Sequence, residues 1–164
     1  MTAPGRLWSP WRMQYIELDH EAVDGCIFCD KPAQGDDEAA YILVRGDLGF
    51  VMLNAFPYNP GHLMVAPFRH VGELEELTAE ELADTSVLLQ RSVIALKACA
   101  GPDGFNVGIN LGRVAGAGIP GHLHWHVVPR WNGDTNFMPV VGETRVLPEL
   151  LGETYARLKP AFSL

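Results

Sequence analysis

The sequence predicts an α+β domain: an antiparallel sheet of about five strands with one long helix packed on it. Three observations predict it. Short apolar, β-rich runs recur between turn-forming residues. One stretch opening at Thr78 carries helical spacing behind a capping signal. Three of the six histidines, His122, His124 and His126, occupy alternate positions of one stretch, which is the period of a strand.

The chain of 164 residues is 48% hydrophobic and 20% charged, the composition of a globular domain able to bury a core. It is read as a single domain over 1–164, with an aromatic N-terminal arm over 1–20 and a C-terminal extension over 132–164. A formal net charge of −8 argues against nucleic acid or an anionic membrane as partner. No run approaches the ~18 apolar residues of a membrane span, so a cytoplasmic location is expected.

In the arm, Trp8, Trp11, Met13, Tyr15 and Ile16 surround Pro10 and are expected to cover the core or a second subunit. Cys26 and Cys29 have the spacing of two thiolates on one tetrahedral zinc, and His70 and His122 are candidates to complete a Cys₂His₂ site. Cys99, alone on the helix, reads as a small apolar filler. Stretches 41–45 and 50–54 form a hairpin around Gly46 and Asp47, 54–61 is a turn-rich connection, and 62–67 is the next strand.

From Thr78 to Gly101 the apolar positions Leu82, Leu89, Val93 and Leu96, with Ser86, recur at helical spacing. Glu73, Glu75, Glu76, Glu80 and Glu81 suit the positive end of this helix and are read as a solvated face. Stretch 104–110 reads as a strand, and 148–159 as a final short helix. Between strand and histidines, 111–121 holds four glycines, whose backbone can crowd around an anion.

On a strand, His122, His124 and His126 share one face while Leu123, Trp125 and Val127 face the core. Imidazole serves as nucleophile, metal ligand or proton carrier near neutral pH. Binding one catalytic metal with all three is opposed by strand geometry, since alternate side chains start ~6.6 Å apart. There is no Walker-type loop and no carboxylate pair spaced for two metals, which leaves covalent catalysis by histidine.

The run His122-Leu-His-Trp-His-Val-Val-Pro-Arg130 resembles the signature of the histidine triad family of nucleotidyl hydrolases and transferases, and the resemblance extends from 26 to about 131. It implies the histidine triad fold and commonly a homodimer. It also implies that His124 attacks an α-phosphorus, that His126 bonds the phosphoryl oxygens or supplies a proton, and that His62 joins their hydrogen-bond network. Asn54 is implied at the ribose. Asn110 and the backbone of Gly116, Ala117, Gly118 and Ile119 are expected to cradle phosphate, with Arg130 and Trp131 beside the remaining phosphates or a base.

In zinc-bearing members a matching set, here Cys26, Cys29, His70 and His122, holds a structural zinc, and a ligand is then not a free base. No catalytic metal is firmly predicted. Many members carry Gly-Gln-Ser/Thr before the triad; here Ala117, Gly118 and Ile119 stand there without side-chain donors. The tail after Arg130 is most similar to bacterial members that phosphorolyse diadenosine tetraphosphate to ATP and ADP. The expected partners are therefore an adenine nucleotide and inorganic phosphate. The alternatives are hydrolysis of dinucleoside polyphosphates or adenosine phosphoramidates, and nucleotide binding without catalysis.

Overall fold

The computed structural model describes residues 25–134 and 149–163; the aromatic arm and the stretch 135–148 lie outside the described residues. Five strands, β1 (Ile42–Arg45), β2 (Gly49–Leu53), β3 (Leu63–Pro67), β4 (Gly104–Ile109) and β5 (Trp125–Arg130), form one antiparallel sheet in the order β1-β2-β3-β5-β4. The helices are α1 (Ile27–Ala33), α2 (Ala79–Ala100) and α3 (Leu151–Leu158). The α+β class, the five strands and the long helix therefore agree with expectation. No helix among the described residues is long and apolar enough to cross a membrane.

Strands β2 and β3 are buried along their whole length, so they are covered on both faces. One face carries Val51, Leu53, Leu63, Val65 and Val127 against Leu88, Ala95 and Leu96 of α2 and Tyr155 and Leu158 of α3. The other carries Ile42, Phe50, Met52, Met64 and Ala66 against Phe28 of α1. Met64 pairs with His126, and Leu63 pairs with Val127. Alternation thus sets His126 on the α1 face, away from the long helix.

Helix α2 starts with a complete capping box between Thr78 and Glu81 and ends at Gly101 in the left-handed conformation, as expected. Its buried stripe is rotated from the expected one: Glu81, Thr85, Leu88, Ser92, Ala95 and Leu96 are buried, whereas Leu82 is 38% exposed. Thr85 and Ser92 tolerate burial because their hydroxyls donate to the carbonyls of Glu81 and Leu88 one turn back. Glu81 corrects the reading of a wholly solvated acidic face. Its carboxylate takes a bidentate bond from Arg69 at 2.7 and 2.8 Å, and that guanidinium holds it down to about 2.

Candidate active site

Cys26 caps the start of α1, and the turn bonded from the amides of Cys29 and Asp30 to the Cys26 carbonyl brings the two thiols together. His70 leaves the end of β3, and His122 precedes β5. These segments meet because Gly72 has no side chain: a Cβ there would stand 2.8 Å from the Pro120 carbonyl oxygen. A 2.7 Å bond from the Leu123 amide to the Val71 carbonyl fastens them.

The ligand atoms of Cys26, Cys29, His70 and His122 all lie within 4.8 Å of one another, so the cluster could hold a metal ion. His122 Nδ1 is 3.3 Å from Cys26 Sγ and 3.5 Å from Cys29 Sγ, and His70 Nδ1 is 3.4 Å from Cys29 Sγ. A tetrahedral ion with metal–sulfur bonds of about 2.3 Å and metal–nitrogen bonds of about 2.0 Å spaces such atoms by about 3.5 Å, so the donor set fits. His122 Nε2 donates to the Pro67 carbonyl at 2.9 Å, which turns the Nδ1 lone pair toward the sulfurs. Burial, with Cys26 alongside, pushes the Cys29 thiol up to about 11, so a cation is what would keep Cys29 as a thiolate.

His124 is 6% exposed. Its Nδ1 donates 2.8 Å to the His122 carbonyl, leaving the Nε2 lone pair available. Burial lowers its tendency to protonate, against the opposing effect of that bond. The Phe28 ring packs 4.6 Å from the His124 ring and 5.3 Å from the His122 ring, forming an apolar wall behind both. The His126 ring lies 5.0 Å from His124, and burial followed by the neighbouring His124 pushes it down to about 4.

Fully buried His62 closes the group, with Nε2 2.9 Å from His126 Nδ1. It stands at the end of a turn whose Gly61 adopts φ +79°, with a Cβ position 3.1 Å from Leu96. His62 Nδ1 receives the Tyr58 amide at 3.0 Å and lies 3.4 Å from Asn54 Nδ2. The Asn54 oxygen accepts the Phe56 amide at 2.9 Å, so Asn54 builds the turn as well as reaching His62.

His62, His124 and His126 are thus brought together, and Cys26, Cys29, His70 and His122 form the adjacent cluster. His122 and His124 do not belong to the strand ladder, however; β5 begins at Trp125. Because His122 is turned toward the cysteines, the three triad rings do not present a common row.

In the glycine-rich loop, the amides of Gly116 and Ala117 are used on the carbonyls of Arg113 and Gly112, and Asn110 Nδ2 donates to Gly116 at 3.4 Å. The amides of Gly118 and Ile119 have no hydrogen-bond partner among the described residues, and the Ile119 side chain packs on the Phe28 cluster. Arg130 is four residues beyond His126, ~13 Å along the strand, and is bonded to Asp134 and Asn106. Trp131 donates its amide to Asp134 at 3.2 Å. Neither residue joins the histidines. Two neighbours were not anticipated: Phe28, signalled only by an aromatic between the cysteines, and the Tyr58 amide, which no side-chain pattern reveals.

The HIT domain family model matches residues 37–133. The AP-4-A phosphorylase of Mycobacterium tuberculosis is 44% identical over 91% of this chain and 80% of its own. The adenosine 5'-monophosphoramidase of Schizosaccharomyces pombe is 34% identical over 65% of this chain and 75% of its own. Among solved structures, a zinc-bound histidine triad family protein from Mycobacterium smegmatis superimposes with a TM-score of 0.69 at 26% identity, covering 85% of this chain and 94% of the other.

Proposed function

The chain belongs to the HIT domain family, and from that premise we propose that it is an enzyme that phosphorolyses diadenosine tetraphosphate to ATP and ADP through a nucleotidyl-histidine. The observation that carries this reading is the orientation of His124. With Nδ1–H held by the His122 carbonyl, Nε2 is an unprotonated, buried nucleophile aimed away from its own backbone.

His124 Nε2 attacks the α-phosphorus and ATP departs; inorganic phosphate then takes the adenylyl group as ADP. His126 donates a hydrogen bond to the phosphoryl oxygens, backed by His62. The amides of Gly118 and Ile119 and the side chain of Asn110 cradle the phosphate. The Asn54 oxygen keeps a second lone pair for a ribose hydroxyl. Arg130 and Trp131 bear on the turn that carries His62 rather than on substrate, because Arg130 fixes Asp134, which accepts from Asn59 of that turn.

Zinc is the ion we assign to the cysteine–histidine cluster, where it supplies a structural cross-link between α1, the exit of β3 and the histidine segment. The protein acts as a single-domain cytoplasmic enzyme, and all three cysteines are unpaired, as a reducing compartment favours. It forms a homodimer: among the described residues β4 is an edge strand, and Val107 on it, with Val87 and Ile94 on α2, leaves apolar surface exposed. Light scattering at micromolar concentration should give twice the chain mass, and a monomer would refute the dimer.

Incubation with diadenosine tetraphosphate, with and without phosphate, tests the reaction. ADP appearing only with phosphate supports it; AMP in both tubes indicates a hydrolase. Hydrolysis of an adenosine phosphoramidate is the second reading, favoured by the identity to the Schizosaccharomyces pombe enzyme.

A further inference from the structure

We infer that Cys26 and Cys29 form an oxidation site: a hydroperoxide joins their sulfurs in a disulfide, the ion they would hold is released, and adenylyl transfer falls until the pair is reduced. This goes beyond the reaction given above and rests on that reading only for the last of the three effects.

The turn that opens α1 sets the two residues at disulfide spacing. The Cys29 amide donates to the Cys26 carbonyl at 2.9 Å. A turn closed in this way keeps its end Cα atoms within about 7 Å, and a disulfide spans roughly 4.4–6.8 Å. Cys26 is extended at the N-cap and Cys29 lies in the first helical turn, so that both sulfurs approach one atom, His122 Nδ1, at 3.3 and 3.5 Å. Linking them needs side-chain rotation and little movement of the backbone. Solvent reaches the pair, because both residues are half-buried among exposed Gly25, Ile27, Asp30 and His70. The third cysteine, Cys99, packs against the core on the other face of the sheet.

The step balances with the hydroperoxide as oxidant. One sulfur, as thiolate, attacks a peroxide oxygen, the O–O bond breaks, and a sulfenic acid forms as hydroxide leaves. The second thiolate attacks that sulfur, the S–S bond forms, and another hydroxide leaves. The sulfurs lose one electron each, the peroxide is reduced, and both hydroxides take protons from solvent. Thiolate is the state in which a sulfur ligates a metal, and a disulfide no longer offers it, so the ion leaves His70 and His122 as well.

Two contacts carry the change to His124. Phe28 lies between the cysteines in the same turn and is 1% exposed, with its ring 4.6 Å from His124 and 5.3 Å from His122. His122, whose ring faces both sulfurs, also supplies the carbonyl that accepts from His124 Nδ1 at 2.8 Å. Turning the cysteine side chains and emptying the ligand set therefore disturbs both the wall behind His124 and the bond that orients it. Loss of such orienting partners costs ~10–100-fold, which sets the size of the effect.

The test treats the full chain, supplied with zinc, with hydrogen peroxide beside a chromogenic zinc chelator, then blocks the remaining thiols with iodoacetamide and maps them by mass spectrometry. A disulfide peptide spanning Cys26 and Cys29, lighter by about 2 Da than the dithiol, with Cys99 still alkylated, supports the site. Oxidation of Cys99 first, or of Cys26 and Cys29 to sulfinic acid without a disulfide, overturns it. Zinc released in step with the disulfide supports the coupling, and zinc retained by the oxidised chain contradicts it. A chain that binds no zinc yet forms the disulfide refutes the zinc assignment and supports the oxidation site.

With diadenosine tetraphosphate and phosphate, the oxidised protein should turn over ~10–100-fold more slowly and recover with dithiothreitol and zinc. Unchanged turnover, or a loss that reductant and zinc do not restore, overturns the switch. If untreated protein shows neither turnover nor an adduct at His124, the covalent reading fails, and the disulfide and zinc readouts still decide the site. Cys99→Ser should respond to peroxide as the wild type does; a response lost with Cys99 overturns the assignment.

Discussion

The backbone carbonyl of His122 holds the ring of His124 through a 2.8 Å bond from Nδ1, while the ring of His122 faces the sulfurs of Cys26 and Cys29. One residue therefore belongs to two clusters: its side chain to the candidate ligand set, its main chain to the orientation of the proposed nucleophile.

Loss of the proposed zinc should be felt at His124. Chelation, or Cys26→Ser, releases the His122 ring and loosens the carbonyl that orients its neighbour. A fall in kcat of ~10–100-fold with a much smaller change in KM is expected, together with a lower melting temperature. Steady-state kinetics alongside metal analysis checks this; full kcat in metal-free protein would contradict it.

Stability should fall in mild acid. Burial lowers His126 from near 6.5 to about 4, so the folded protein binds fewer protons than the unfolded chain between those values. The contribution is complete above about 6.5 and is lost as the pH drops through about 4. Its size is on the order of 2 kcal/mol, allowing for partial exposure. Urea melts from pH 7 to pH 4 should show the decline in wild type and a flatter profile in His126→Ala.

Gly61→Ala should destabilise by about 1–2 kcal/mol, because a left-handed residue would acquire a Cβ beside Leu96. Since this glycine precedes His62, the variant should also lose activity. Wild-type melting and turnover would contradict the stated role of the turn.

Arg69→Ala leaves the buried Glu81 carboxylate without its cationic partner. A loss of about 1–3 kcal/mol is expected at neutral pH. It should shrink as the pH falls toward about 2, where Glu81 protonates in the wild type and the bond from Arg69 is lost there as well. Paired denaturation curves at two pH values check this.

Much of the fold was legible because it is written in local patterns: the capping box at Thr78, the left-handed stop at Gly101, and the short apolar runs of β1 to β4. The rotation of the α2 stripe was not, since Thr85 and Ser92 look polar in sequence yet satisfy their hydroxyls within the helix. The cysteine spacing pointed to the ligand cluster, which depends on side chains alone. Period two placed His126 correctly but implied a shared row for His122 and His124. The Leu123–Val71 bond and the Pro67 carbonyl draw His122 elsewhere, and those contacts join segments some fifty residues apart. Main-chain donors such as the Tyr58 amide are invisible to residue type altogether.

The most direct measurement is intact-mass analysis of protein mixed with diadenosine tetraphosphate and quenched before the second transfer, in wild type and in His124→Ala. The account predicts one adenylyl group on the wild-type chain, mapped to position 124, none on the variant, and turnover reduced at least ~10⁴-fold in the variant. A variant that retains wild-type turnover, or an adenylyl group mapped to another residue, would contradict it.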